Sequence, residues 1–131
     1  MHLTRGGFLL AALLVIVSCA VTRKPVGIPT TENGEKSIKI KAGSFRFEPS
    51  NIEAQQGDFL IINVENISSR DHNFSIKDPQ GEIMTSADVP VKKTIEVKIR
   101  LKDPGIYEFF CDKPLHPMLG MKGTLEVRSS P

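Results

Sequence analysis

From residue 35 onward the apolar side chains recur at every second position, and this alternation limits the fold more than any other feature. Ile95, Val97, Ile99 and Leu101 alternate with Glu96, Lys98 and Arg100, and Ile38 and Ile40 alternate with Lys39 and Lys41. Phe45 and Phe47 flank Arg46, and Phe74 and Ile76 flank Ser75. Tyr107, Phe109 and Cys111 share one face, as do Leu125 and Val127, while Phe59 to Val64 is the fuller apolar run of a central strand. A strand sends successive side chains to opposite faces, whereas a helix repeats about every 3.6 residues. The runs are short, rich in β-branched and aromatic residues, and bounded by turn signals at Gly57-Asp58, Asp78-Pro79-Gln80-Gly81 and Asp103-Pro104-Gly105. About seven strands in roughly 95 residues, with no amphipathic helical pattern, predict an all-β antiparallel sandwich of about seven to eight strands. Met84 to Val91 has the weakest pattern and reads as a loop crossing between sheets.

The N-terminus follows another rule. Met1 to Ala20 reads MHLTRGGFLLAALLVIVSCA, with Arg5 ahead of an unbroken apolar run from Phe8 to Val17. Such a run has the length of a signal-peptide core and falls short of the ~20 residues that span a bilayer. It ends in Ile16-Val17-Ser18-Cys19, which resembles a bacterial lipobox. The resemblance implies cleavage after residue 18 and acylation of Cys19, which would tie an exported protein to a membrane and face it to the periplasm or the cell exterior. Ala20, where aspartate would signal inner-membrane retention, points to the outer membrane in a Gram-negative cell. Residues 19–34 then form the acylated start and a flexible tether (VTRKPVGIPTTENG from Val21), with prolines, threonines and glycines but no periodicity. Residues 35–131 remain for one folded domain, the usual size for a single core. Its charge is nearly balanced. The whole chain has 17 Lys and Arg against 15 Asp and Glu, and losing Arg5 leaves 16 against 15. That balance gives no electrostatic basis for nucleic-acid binding or for a polybasic membrane patch.

The scarcest residues carry the chemistry. Beyond the leader there is one cysteine, Cys111, and two histidines, His72 and His116, so no disulfide forms without Cys19. A closed zinc cage of Cys and His needs four ligands and finds three. His72 starts a strand in Arg70-Asp71-His72-Asn73-Phe74; Cys111 ends another, His116 follows on a loop, and Met121 opens the last strand. One thiolate, two imidazoles and a thioether match a trigonal His₂Cys copper site with a weak axial Met. Thiolate and thioether suit Cu(I), and imidazole serves both oxidation states. Met118 competes with Met121 for the axial place, but it stands only two residues after His116, too close to fold back easily over the same metal.

In these motifs the chain resembles the cupredoxins, the blue-copper proteins. The shared pattern is Phe45-x-Phe47-x-Pro49, Gly57-Asp58, His72-Asn73-Phe74, Gly105-x-Tyr107-x-Phe109-x-Cys111, and Cys111-x₄-His116-x₄-Met121-x-Gly123. It spans about residues 36–128, nearly the whole domain. The resemblance implies a Greek-key β-sandwich holding one copper near one end through His72, Cys111, His116 and Met121. It also implies that Asn73 ties the two ligand loops together by hydrogen bonds, a contact that orients ligands and tunes the metal.

The function expected from this reading is membrane-anchored, single-electron transfer through Cu(I)/Cu(II) by a monomer. Its redox donor and acceptor would dock transiently where Pro114, Leu115, Pro117, Met118 and Leu119 surround His116. Extracytoplasmic copper delivery or storage is the alternative, using the same ligands but usually with extra Met or His. An enzyme is not expected, since multicopper oxidases and nitrite reductases need further histidines and a binuclear copper site needs a second ligand cysteine.

Overall fold

The computed structural model describes residues 24–30 and 35–131. The expected signal peptide, its cleavage site and Cys19 lie outside the described residues. Ten strands follow one another: β1 (Val26–Gly27), β2 (Lys36–Gly43), β3 (Arg46–Glu48), β4 (Asn51–Gln55), β5 (Phe59–Asn66), β6 (His72–Lys77), β7 (Ile83–Val89), β8 (Thr94–Arg100), β9 (Gly105–Phe110) and β10 (Lys122–Arg128). They form a sandwich of two sheets, ordered β1-β4-β10-β9-β6-β7 and β3-β2-β5-β8, around one hydrophobic core. Alternation decides which face goes inward. On β8, Val97 and Ile99 are buried while Glu96, Lys98 and Arg100 are exposed. On β5, paired on both sides, Leu60, Ile61, Ile62 and Val64 are all buried.

Three details differ from the sequence reading. First, the sheets are mixed rather than antiparallel: β2 runs parallel to β5, and β4 runs parallel to β10. Parallel neighbours need a crossover. Here the chain leaves the β2–β3 hairpin, joins the other sheet as β4, and returns as β5. Turn signals mark where a chain reverses but not which sheet it re-enters. Second, residues within Met84–Val91 form β7 rather than a loop. This strand lies at a sheet edge and buries only Val89, so its hydrogen bonds to β6 hold it without an apolar face to betray it.

Third, part of the expected tether is docked. Val26–Gly27 pair with Ile52–Glu53 of β4, Thr30 bridges to Lys36, and Ile28 enters the core. The open edge of β4 presents unpaired backbone groups, and a neighbouring segment satisfies them at the cost of ordering a few residues.

Two features set the stage for the site. The Tyr107 hydroxyl donates to the Asp103 carbonyl at 2.9 Å, closing the turn that launches β9. Burial pushes that phenol above its ordinary pKa, against the opposing effect of the bond to Asp103. Phe47, Phe74 and Phe109 pack with ring centroids 5.5–5.6 Å apart. Phe74 is two residues after His72 and Phe109 two before Cys111, so the aromatic trio lies on the same inward faces and forms a rigid floor beneath the ligands.

Candidate metal centre

One donor atom from each of His72, Cys111 and His116 lies within 4.8 Å of the others. Among the described residues, this is the one group of three or more His, Cys, Asp or Glu donors that converges. His72 is the first residue of β6, Cys111 directly follows β9, and Met121 directly precedes β10. The β9–β10 pairing continues past the strand ends, with Cys111 N–H donating to the Met121 carbonyl at 3.1 Å. Between them the chain winds tightly: Met121 N–H donates to His116 O at 2.9 Å and Leu119 N–H to Leu115 O at 3.0 Å. Met121 is fully buried beside Cys111, whereas Met118 is 84% exposed. The thioether facing the interior is therefore that of Met121.

The histidine orientations follow from their partners. His72 Nε2 lies 2.8 Å from Ser68 Oγ, and its Nδ1 is buried with no hydrogen-bond partner. Placing the proton on Nε2, where the hydroxyl accepts it, leaves Nδ1 as a bare lone pair. A buried ring nitrogen without a partner costs about 1–3 kcal/mol unless something else satisfies it. His116 Nδ1 lies 3.3 Å from Cys111 Sγ, and the two imidazole rings are 5.2 Å apart. Burial pushes the His72 pKa down, the neighbouring His116 adds to this, and Asp71 opposes it. The ring is thus held in the neutral form that ligation needs.

An Asn and a Ser that the sequence reading passed over hold His72 in place. Asn66, buried at the end of β5, uses all of its hydrogen-bonding capacity. Its Nδ2 donates to Arg70 O at 2.7 Å and Val89 O at 2.9 Å, and its Oδ1 accepts from Ser68 N and Oγ, both at 2.9 Å. The chain of contacts Asn66–Ser68–His72 fixes the ring, as outer partners of metal-binding histidines commonly do. Asn66-Ile67-Ser68 has the residue types of a side-chain-capped turn, the one signal that could have revealed it.

Asn73 links the two ligand segments through its backbone. Its N–H donates to Cys111 Sγ at 3.3 Å. Its carboxamide points the other way, accepting from Ser75 Oγ at 2.7 Å and donating to Ser86 Oγ at 3.1 Å. Asp112, next to the cysteine, is exposed to solvent. Lys113 ties the ligand loop to β7, with Nζ 3.1 Å from Asp88 Oδ1, and that bond holds its ammonium above the usual pKa.

His116 is only partly buried, and apolar side chains crowd it. Leu115, Met118 and Leu119 are exposed around it. Phe45 reaches over from the β2–β3 turn, its ring 5.1 Å from the His116 ring and nearly perpendicular. The Phe-x-Phe alternation suggested a strand position for Phe45, but it sits in the turn with φ +56°, and Leu115 has φ +66°. Below the loop, Lys24 and Val26 share a cavity of about 510 Å³ with Gly120 and Lys122, the residues on either side of Met121. The described N-terminal segment therefore lies at the site's end of the sandwich.

The donors suit a transition metal. Three donors within 4.8 Å are close enough for one ion to gather, since bonds of about 2.0–2.3 Å at trigonal angles set donors roughly 3.5–4.0 Å apart. The orphaned His72 Nδ1 is explained by such an ion, and soft sulfur with imidazole selects copper chemistry over the oxygen-rich sites of magnesium or calcium. A β-sandwich with two imidazoles, a thiol and a buried thioether in this arrangement defines the type 1 copper class. The chain matches the family model of the Cupredoxin-like domain over residues 9–127 and belongs to that family.

Solved structures agree on the fold. A dithionite-reduced auracyanin from Roseiflexus castenholzii is 19% identical, with a TM-score of 0.63 over 70% of this chain and 96% of that one. Auracyanin A from Chloroflexus aurantiacus, a blue copper protein, is 21% identical, with a TM-score of 0.58 over 70% of this chain and 99% of that one. The metal-binding domain of a Cu(I)-exporting P-type ATPase from Streptococcus pneumoniae, with Cu(I), is 21% identical, with a TM-score of 0.64 over 80% and 96%. No match was found among curated protein sequences.

Proposed function

We propose that this chain is a lipid-anchored electron carrier holding one copper ion through the imidazoles of His72 and His116, the Cys111 thiolate and the Met121 thioether. The convergence of three donors around a buried, unpartnered His72 Nδ1 carries the reading. Bound copper supplies a one-electron change between Cu(I) and Cu(II). The protein's part is to keep its ligands still while that happens. Ser68 and Asn66 fix His72, the Cys111–Met121 backbone bond fixes the two sulfur ligands, and the Asn73 amide draws electron density from Cys111 Sγ. Hydrogen bonding at this sulfur is one of the levers on reduction potential. No acid–base pair is needed, and we read the protein as no enzyme.

Only His116 among the four ligands touches solvent, so redox donor and acceptor are assigned to the apolar surface around it. The lipobox resemblance supports anchoring at Cys19 to a bacterial membrane, facing the periplasm or the cell exterior, and Ala20 favours the outer membrane if the cell is Gram-negative. Loading the purified chain with one equivalent of Cu(II) tests the reading. An intense visible thiolate-to-copper band, bleached by reductant and restored by oxidant, is expected. Binding without the band would remove Cys111 from the Cu(II) ligands.

The likeness to a Cu(I) exporter's domain favours a second reading, delivery of Cu(I) to a partner. The exposed Met118 thioether beside His116 suits it. Rapid transfer of copper to an apo-acceptor, rather than of electrons, would establish delivery.

A further inference from the structure

The four ligands are not held equally. His72 is locked by Ser68, and Cys111 and Met121 by their mutual backbone bond. The His116 ring makes one polar contact among the described residues, the 3.3 Å approach of Nδ1 to Cys111 Sγ. Beyond its fellow ligands, the ring partner it has is Phe45.

Phe45 holds that place in an unfavourable backbone conformation. A φ of +56° is uncommon for any side chain and rarer for a bulky aromatic. Such conformations persist where surrounding contacts hold them, and they cluster at functional sites. The Phe45 side chain is also 37% exposed, so burial does not explain the position. Two contacts do. The Phe45 ring meets the His116 ring near 90°, the edge-to-face arrangement aromatic rings favour. Its carbonyl oxygen would lie 3.9 Å from a Cβ on Gly120, so the same turn abuts the ligand loop again beyond His116. Returning Phe45 to an ordinary backbone conformation would relieve the turn and redirect the ring away from His116.

We propose that Phe45 is a positioning residue that latches His116, making the centre retain its copper instead of releasing it. The inference rests on the copper reading above and deepens it: the latch is what sets this chain toward carrying electrons rather than delivering metal. His116 is the ligand nearest solvent and the first a competing chelator would meet.

The test compares the copper-loaded chain with Phe45→Gly and Phe45→Tyr. Glycine takes a positive φ without strain, so Phe45→Gly removes the ring while relieving the backbone. After reduction, Cu(I) release to excess bathocuproine disulfonate is followed, and the metal-free proteins are melted in parallel. Phe45→Gly is expected to release copper at least tenfold faster, equivalent to about 1.4 kcal/mol, with no fall in metal-free Tm. Phe45→Tyr is expected to stay within about twofold of wild type, because tyrosine keeps the ring that meets His116. In the metal-free chain, the His116 ring-proton resonances should shift when the Phe45 ring is removed. Release from Phe45→Gly at the wild-type rate, or from Phe45→Tyr as fast as from Phe45→Gly, would overturn the latch alone. A wild-type chain that binds no copper would overturn both readings.

Discussion

Asn66→Asp should be far more damaging than its size suggests. The side chains have the same shape, and both Oδ1 bonds to Ser68 survive. The change falls on the other arm, where Nδ2 donates to Arg70 O at 2.7 Å and Val89 O at 2.9 Å. An ionised carboxylate there would face two carbonyl oxygens in a buried place, with nothing to donate. A protonated carboxyl could serve one of them and leave the other unsatisfied, at about 1–3 kcal/mol. Keeping the acid protonated at pH 7, some three units above its ordinary value, adds about 4 kcal/mol. The cheaper route therefore costs roughly 5 kcal/mol or more at pH 7, much of a small domain's stability. The sign with pH follows. The introduced carboxyl would have a folded pKa above its unfolded one, so the variant's deficit grows with pH and shrinks on acidification by about 1.4 kcal/mol per unit. Urea unfolding of the metal-free variant and wild type at pH 5 and pH 7 measures this. The gap should narrow by about 2–3 kcal/mol at pH 5. A deficit below about 1 kcal/mol, or one that ignores pH, would refute the reasoning.

Other expectations follow from the same geometry. Gly123→Ala puts a Cβ against the Phe109 ring and 2.6 Å from Ser50 O, so it should cost about 1–3 kcal/mol in a thermal melt and disturb the β9–β10 pair carrying Cys111 and Met121. Met121→Leu should keep the thiolate–copper band and raise the reduction potential, because losing the weak axial donor to hydrocarbon leaves a more apolar site that supports the higher charge of Cu(II) less well, while Met118→Leu leaves both unchanged; voltammetry distinguishes them. Because burial lowers the folded pKa of His72 from 6.5, the unfolded chain takes up that proton first as pH falls. Metal-free Tm should therefore drop below about pH 6.5, and His72→Gln should flatten that slope.

How legible this was depended on whether a residue's role is written in side-chain pattern. The ligand candidates stood out because the domain has one cysteine and two histidines, and Met121 because of its motif spacing. Strands with one buried face, such as β8, announced themselves by alternation. Edge strand β7 did not, since backbone hydrogen bonds rather than an apolar face hold it. The two-residue β1 left even less trace, because Val26 and Gly27 pair through their backbones and both stay exposed. Asn66 and Ser68 were hidden for a different reason. Their partners include Val89, 23 residues from Asn66, and only the closed fold brings them together. Phe45 was misplaced because Phe-x-Phe alternates whether or not its first residue belongs to the strand, and φ is not a property of the pattern.

The docked segment also bears on the anchoring proposed above. With a lipid on Cys19 and free chain to Glu35, the 16 intervening links could extend about 55 Å. Pairing of Val26 with Ile52 leaves seven links, or about 25 Å. The accessible volume scales as the cube of that reach, so it shrinks roughly twelvefold, and the effective concentration near the membrane rises by the same factor. Because Lys24 and Val26 share a cavity with Gly120 and Lys122, a lipid at Cys19 would pull on the end that carries Met121. A partner embedded in that membrane would meet the His116 surface within a restricted shell, and a partner diffusing freely outside it would have to come to the bilayer.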